Sequence, residues 1–169
     1  MTVNMTNPDT ANPDPANGAA MFDPMHGEWR VRHRRLLRLF DRCEEWRAFT
    51  GTSATRPVLG GRGNIEDNVI DDPLGAYRAV AIRSLDPGTG DWRIWWLDER
   101  RQAIDPPVTG RLQDGSGEFV GADVMDGRDI LVRFRWSGIG SATPRWEQAF
   151  SADGGVGWEV NWVMEFTRA

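Results

Sequence analysis

The sequence predicts an all-β chain of about ten strands folded as a single antiparallel barrel. Three observations predict it: short runs of alternating apolar and polar side chains, turn residues between them, and connections too short for crossover helices. Parallel neighbours need a dozen or more linking residues, so the pairing must be antiparallel. A meander this long either divides into two sheets or closes on itself, and closure removes the exposed strand edges.

Residues 1–21, rich in Asn, Asp, Pro and Thr, read as a disordered tail, because such a composition buries too little surface to offset ordering entropy. The barrel domain is expected over 22–169. Residues 27–33 alternate Trp29, Val31 and His33 with arginines, which is a strand period. Residues 36–45 offer the only place for a helical turn. A strand over 46–55 leads to a sharp bend at Pro57, Gly60, Gly61 and Gly63, and 65–70 forms the next short strand. Hairpins follow. Strands over 77–85 and 92–97 flank Asp86-Pro87-Gly88-Thr89-Gly90, and those over 108–112 and 118–121 flank Asp114-Gly115-Ser116-Gly117. Asp126-Gly127 introduces 130–136, a Ser-Gly-Ile-Gly-Ser loop introduces 145–150, and Asp153-Gly154-Gly155 introduces the last strand, 158–166.

Composition excludes several chemistries. A length of 169 residues suits one domain, with 40% hydrophobic and 27% charged residues, yet nine are tryptophan and all twenty basic residues are arginine. Without lysine there is no Schiff-base chemistry and no phosphate-binding loop. Cys43 stands alone, so no internal disulfide forms. His26 and His33 have no metal-ligand spacing, and neither a metal nor another cofactor is expected. A net charge of −5 argues against a nucleic-acid partner. The arginines at 30, 32, 34, 35 and 38 read as the solvent face of a strand rather than a phosphate patch. No run approaches the roughly 18 apolar residues of a membrane span. Residues 1–20 lack the features of a secretory signal, so cytoplasmic residence is the expectation. A homodimer through an exposed strand face is compatible with such a barrel.

Period two assigns faces: Trp29, Val31 and His33; Trp92, Ile94, Trp96 and Asp98; Ile130, Val132, Phe134 and Trp136; Trp146, Gln148 and Phe150; Trp158, Val160, Trp162, Met164 and Phe166. Pointed inward, these sets line the interior with indole rings and a few polar groups, the usual make-up of a small-molecule site.

The pattern Phe22-x-x-x-x-Gly27-x-Trp29 resembles the start of the first strand in lipocalin-like (calycin-type) barrels. A longer resemblance, over about 22–167, is to an uncharacterised bacterial family of such barrels. Its carriers are Pro57-Val58-Leu59-Gly60-Gly61 with Gly63-Asn64, Leu85-Asp86-Pro87, Trp92-Arg93-Ile94-Trp95-Trp96, Asp105-Pro106-Pro107-Val108 with Gly110, and Phe134-Arg135-Trp136. The most specific are the block from Arg145-Trp146-Glu147-Gln148 to Asp153-Gly154-Gly155 and the closing Asn161-Trp162-Val163-Met164-Glu165-Phe166. Trp95 departs from it, since relatives carry tyrosine there. The resemblance implies a calycin-type barrel with a pocket and transfers no catalytic residue.

The candidate catalytic residues are His33 and Asp98. His33, inward by parity, would be a neutral imidazole able to act as a base or an iron ligand; the plainer alternative is a histidine hydrogen-bonded in the core. Asp98 shares a face with Trp96, within reach of Arg100 or Arg101, and the alternative is a solvated loop ion pair. Candidate ligand-binding residues are His33, Trp96, Asp98, Arg101, Trp146, Gln148 and Trp162. Glu147 and Asn161 fall on the opposite faces of their strands. The expected function is a carrier or sensor for a small apolar or aromatic metabolite. An enzyme that cyclises, isomerises or dehydrates a bound metabolite is the alternative, followed by haem binding through His33.

Overall fold

The structure, a computed structural model, describes residues 18–169. Within them ten strands run β1 (Gly27–Leu36), β2 (Trp46–Val58), β3 (Gly63–Ile70), β4 (Tyr77–Leu85), β5 (Trp92–Asp98), β6 (Val108–Gln113), β7 (Ser116–Met125), β8 (Arg128–Ser137), β9 (Arg145–Ser151) and β10 (Glu159–Arg168). Each pairs antiparallel with its neighbours in sequence, and β10 returns to β1, so the sheet closes into a barrel. No helix among the described residues is long and apolar enough to cross a membrane.

Local chemistry explains the tight connections. At Asp114-Gly115 and Asp126-Gly127 all four residues have positive φ, between 50° and 75°, the geometry whose twist matches paired antiparallel strands. At the β4–β5 turn the Asp86 side chain accepts the Gly88 N–H at 2.8 Å, and its backbone carbonyl accepts that of Gly90.

One end of the barrel is plugged. A 3-10 turn over Ala20–Met25 drives Phe22 and Met25 fully into the core, with the Phe22 ring edge-on to Trp92 at 4.9 Å and to Trp136 at 6.0 Å. Trp29 donates its indole N–H to the Met25 carbonyl at 2.8 Å, and Arg168 clamps the carbonyls of Pro24 and His26 while stacking on Trp29. The tail expected over 1–21 lies outside the described residues as far as 17. Gly18 to Met21 belong to the plug: the Gly18 carbonyl accepts the Trp92 indole N–H, and Ala19 and Met21 pack on the core. Residues 36–45, expected as the only place for a helical turn with strand left open, hold none, and the 3-10 turns fall instead at Ala20–Met25 and Leu59–Gly61. Leu36 completes β1, and Phe40 and Arg42 adopt positive φ, which no helix tolerates.

The inward sets of β1, β5 and β8 follow the alternation, with Trp29, Val31, His33, Trp92, Ile94, Asp98, Ile130, Val132, Phe134 and Trp136 all buried. On β10 the alternation breaks. Val160 pairs with Ala149 and Trp162 with Gln148, so a β-bulge leaves Asn161 as the extra residue. Trp162, Met164 and Phe166 keep their inward positions. Val160 turns to the outer face with Ala149, and the Trp158 ring lies under the guanidinium of Arg133, at 4.4 Å. The inward placement expected for Trp158 and Val160 is therefore corrected. Asn161, expected on the far face, bonds Gln148 instead.

Candidate functional site

The barrel is open at the end away from the plug, where β1, β5 and β9 finish and β4 and β8 begin. A cavity of about 270 Å³ enters there. Trp96, Trp146 and Trp162 form its floor. The Trp162 ring stands edge-on to Trp146 at 5.4 Å and to Trp96 at 5.5 Å, the edge-to-face geometry that aromatic quadrupoles favour. Aliphatic walls come from Ile94, Val108, Ile130 and Val132, and the lip carries Asp98, Arg100, Arg101, Asp105 and Asp123. Six of the seven residues expected to bind ligand line this one cavity: Trp96, Asp98, Arg101, Trp146, Gln148 and Trp162.

His33 stands behind it. Trp162 donates its indole N–H to His33 Nδ1 at 3.2 Å, and the imidazole stacks on Phe49 at 4.9 Å with an interplanar angle of 7°. Its Nε2 faces the backbone of Gly51 and has no hydrogen-bond partner among the described residues. Burial pushes its pKa down to about 4, and the charge of Arg35 adds to that. The imidazole is thus neutral, with Trp162 between it and the cavity, and it packs as a core residue. An iron bound in the cavity would find no histidine on its walls.

Asp98 is buried while its partners are exposed. Arg100 binds both carboxylate oxygens, at 3.2 and 3.0 Å, and Arg101 lies 3.7 Å away. Burial opposes its ionisation, but the Arg100 hydrogen bond and charge win and hold the carboxyl below the usual range. Asp98 is a fixed anion that organises the lip and a poor proton donor. Asp105 behaves differently: burial outweighs its pairing with Arg101 at 2.8 Å and raises its pKa. Gln148 donates to Asn161 Oδ1 at 2.8 Å.

Two features were missed by the sequence reading. Arg35 belongs by parity with Trp29, Val31 and His33 and turns inward, whereas Arg30, Arg32 and Arg34 are exposed as expected. The period that placed His33 was signal enough to find it. The second is a polar wall on β2, β3 and β4, comprising Ser53, Thr55, Asn64, Glu66, Asn68 and Arg83, all at most 4% exposed. Arg83 bonds Glu66 and, at 2.9 Å, Asn64 Oδ1, with its guanidinium near the rings of Phe22 and Trp136. The alternation of Asn64, Glu66, Asn68 and Ile70 carries that signal too, masked because polar residues on a period of two ordinarily mark the solvent face.

Beside the cavity the wall of the barrel is thin. β5 and β6 share only three paired positions, Trp92–Gly110, Arg93–Thr109 and Ile94–Val108. Above them the 99–107 connection takes over, held by the Asp105 N–H on the Trp96 carbonyl at 2.8 Å. Among the described residues no cluster of three or more His, Cys, Asp or Glu side chains is placed to hold a metal.

No family model matches the chain, and no curated protein matches it. Among solved structures, the crystal structure of Rv2717c from M. tuberculosis superposes with a TM-score of 0.58, covering 90% of this chain and 97% of that one at 9% sequence identity. At that identity the likeness shows the fold alone. The chain is an all-β, closed, ten-strand antiparallel barrel, a fold it shares with Rv2717c.

Proposed function

We propose that this chain is a small-molecule-binding barrel, a carrier or sensor, whose ligand is a small apolar or aromatic metabolite seated on the indole floor of the mouth. The cavity carries this reading. Protein interiors pack to crystal-like density with few voids larger than a water, and nine tryptophans had ample volume to fill this one. Instead about 270 Å³ stays open at one end, just below the range of about 300–1,000 Å³ typical of ligand pockets, so the ligand is small. The calycin-type resemblance of the Gly27-x-Trp29 strand agrees with such a role.

Binding is favoured over catalysis because the groups best suited to acid–base work are occupied: His33 by Trp162, and Asp98 by Arg100. One observation supports the enzyme alternative. Asp105 borders the cavity with a pKa that burial raises, which suits it to giving up a proton.

The test is calorimetry and indole N–H NMR with 2-phenylethanol, an uncharged probe. The expected result is saturable binding that moves the Trp96 and Trp162 resonances and is lost in Ile130→Trp, which fills the cavity. Equal binding by the native protein and by Ile130→Trp would refute the site. A metabolite transformed by the native protein, bound but left intact by Asp105→Asn, would move the reading to an enzyme.

A further inference from the structure

We infer that the ligand is a monocarboxylate on an aromatic or apolar body, and that Arg35 selects it. The inference rests on the mouth cavity being the binding site.

Charge at the mouth points there. Arg47 pairs with Asp72 at 2.8 Å, Arg100 with Asp98 at 3.0 Å, and Arg101 with Asp105 at 2.8 Å. Arg35 sits in their midst with no such partner: no carboxylate of the described residues lies within 4.0 Å of its guanidinium. Its hydrogen bond goes to a neutral group, the Tyr77 hydroxyl, at 3.1 Å, and its guanidinium lies over the Trp162 ring, at 4.3 Å. A guanidinium has five N–H donors in a fork that matches a carboxylate, and one is used here.

Leaving such a charge half-buried and unpaired is costly, and its neighbours Arg47, Arg100 and Arg101 each have a carboxylate. Burial, with the like charges of Arg100 and Arg47, already works against the protonated form of Arg35. An anion from the ligand would relieve both effects. The stacking on Trp162 holds the guanidinium at the edge of the indole floor, so a carboxylate bound to Arg35 leaves its apolar body over the indoles.

The far side of the barrel limits the ligand to one carboxylate. In a ring of ten strands β6 lies opposite β1, and the flanking β5–β6 connection and β7 bring Asp105 and Asp123 to the cavity. A second carboxylate, reaching away from Arg35, would meet Asp123, which pairs with no arginine among the described residues, beside an Arg101 already engaged by Asp105. Apolar side chains at the lip, Leu39 and Val124 among them, suit a hydrocarbon body instead.

The experiment is calorimetry on the full chain at fixed ionic strength and low chloride, with phenylacetate, 2-phenylethanol and 1,4-phenylenediacetate. Phenylacetate should bind roughly ten- to a hundredfold tighter than the alcohol, the range expected for a hydrogen bond to a charged group. The dianion should bind more weakly than phenylacetate. Arg35→Gln should remove the preference for phenylacetate while still binding 2-phenylethanol, which also shows that the cavity is intact. Arg35→Lys should keep part of the preference, because it retains the charge and loses the fork. Phenylacetate binding no tighter than the alcohol, or a preference that survives Arg35→Gln, would overturn the inference and leave the binding site standing. Failure of all three probes to bind would overturn both.

Discussion

Lowering the pH should destabilise this protein through His33. In the unfolded chain the imidazole takes a proton below its ordinary value of 6.5, whereas in the folded protein it resists protonation down to about 4. Geometry explains the resistance. The Nδ1 lone pair accepts the Trp162 N–H, so a proton added there would set donor against donor in a buried site. The sign follows from proton counting: between those two values the unfolded state holds the extra proton, so stability falls as pH falls. His33 contributes its full share above 6.5, loses it progressively toward 4, and changes nothing further below. At about 1.4 kcal/mol per pH unit, the gap amounts to about 3 kcal/mol, a substantial part of the roughly 5–15 kcal/mol that holds a domain together. The assay is denaturant unfolding of the native protein and His33→Gln from pH 8 to pH 4.5. Contributions from carboxylates held low by arginine, such as Asp98 and Asp72, are shared and cancel in the difference. The stability difference should shrink by most of that 3 kcal/mol across the range. Parallel curves, or a His33 proton resonance titrating above pH 6, would refute the reasoning.

Two further outcomes test the frame around the cavity. Glu66→Gln leaves the buried Arg83 guanidinium without its counter-charge and should cost about 3–5 kcal/mol, or roughly 6–20 °C in Tm. Joining Glu66→Leu with Arg83→Met should cost less than either charge deletion alone, as thermal unfolding would show. Gly110→Ala puts a methyl group into the Glu118 carbonyl across the β6–β7 pair, at one of only three positions that join β5 to β6. It should open that seam, seen as lost hydrogen-exchange protection at the amides of residues 92–94 and 108–110 while β1 and β10 stay protected.

Much of the interior was legible because period two is a local property. Once 27–33, 92–98 and 130–136 are read as strands, Trp29, His33, Ile94, Asp98 and Phe134 share a face by covalent geometry, and six candidate ligand residues fall around one cavity. The reading failed where parity changed or where polarity misled. The bulge at Asn161 turned Val160 outward and put Asn161 beside Gln148, and neither residue type announces a bulge. Arg35 was absorbed into an arginine-rich strand face although its parity matched His33.

The sequence by itself determined an antiparallel, tryptophan-rich meander without lysine or disulfide chemistry, since alternation, turn residues and short connections act within a few residues, whereas its closure rests on the distant pairing of β1 with β10. Only the tertiary structure decided which inward groups meet. It put Trp162 between His33 and the cavity, gave Asp98 to Arg100, sealed Glu66 against Arg83, and left Arg35 facing the mouth without a carboxylate. Those outcomes depend on strands far apart in the chain being curled into contact, and burial then sets the protonation and pairing of each group.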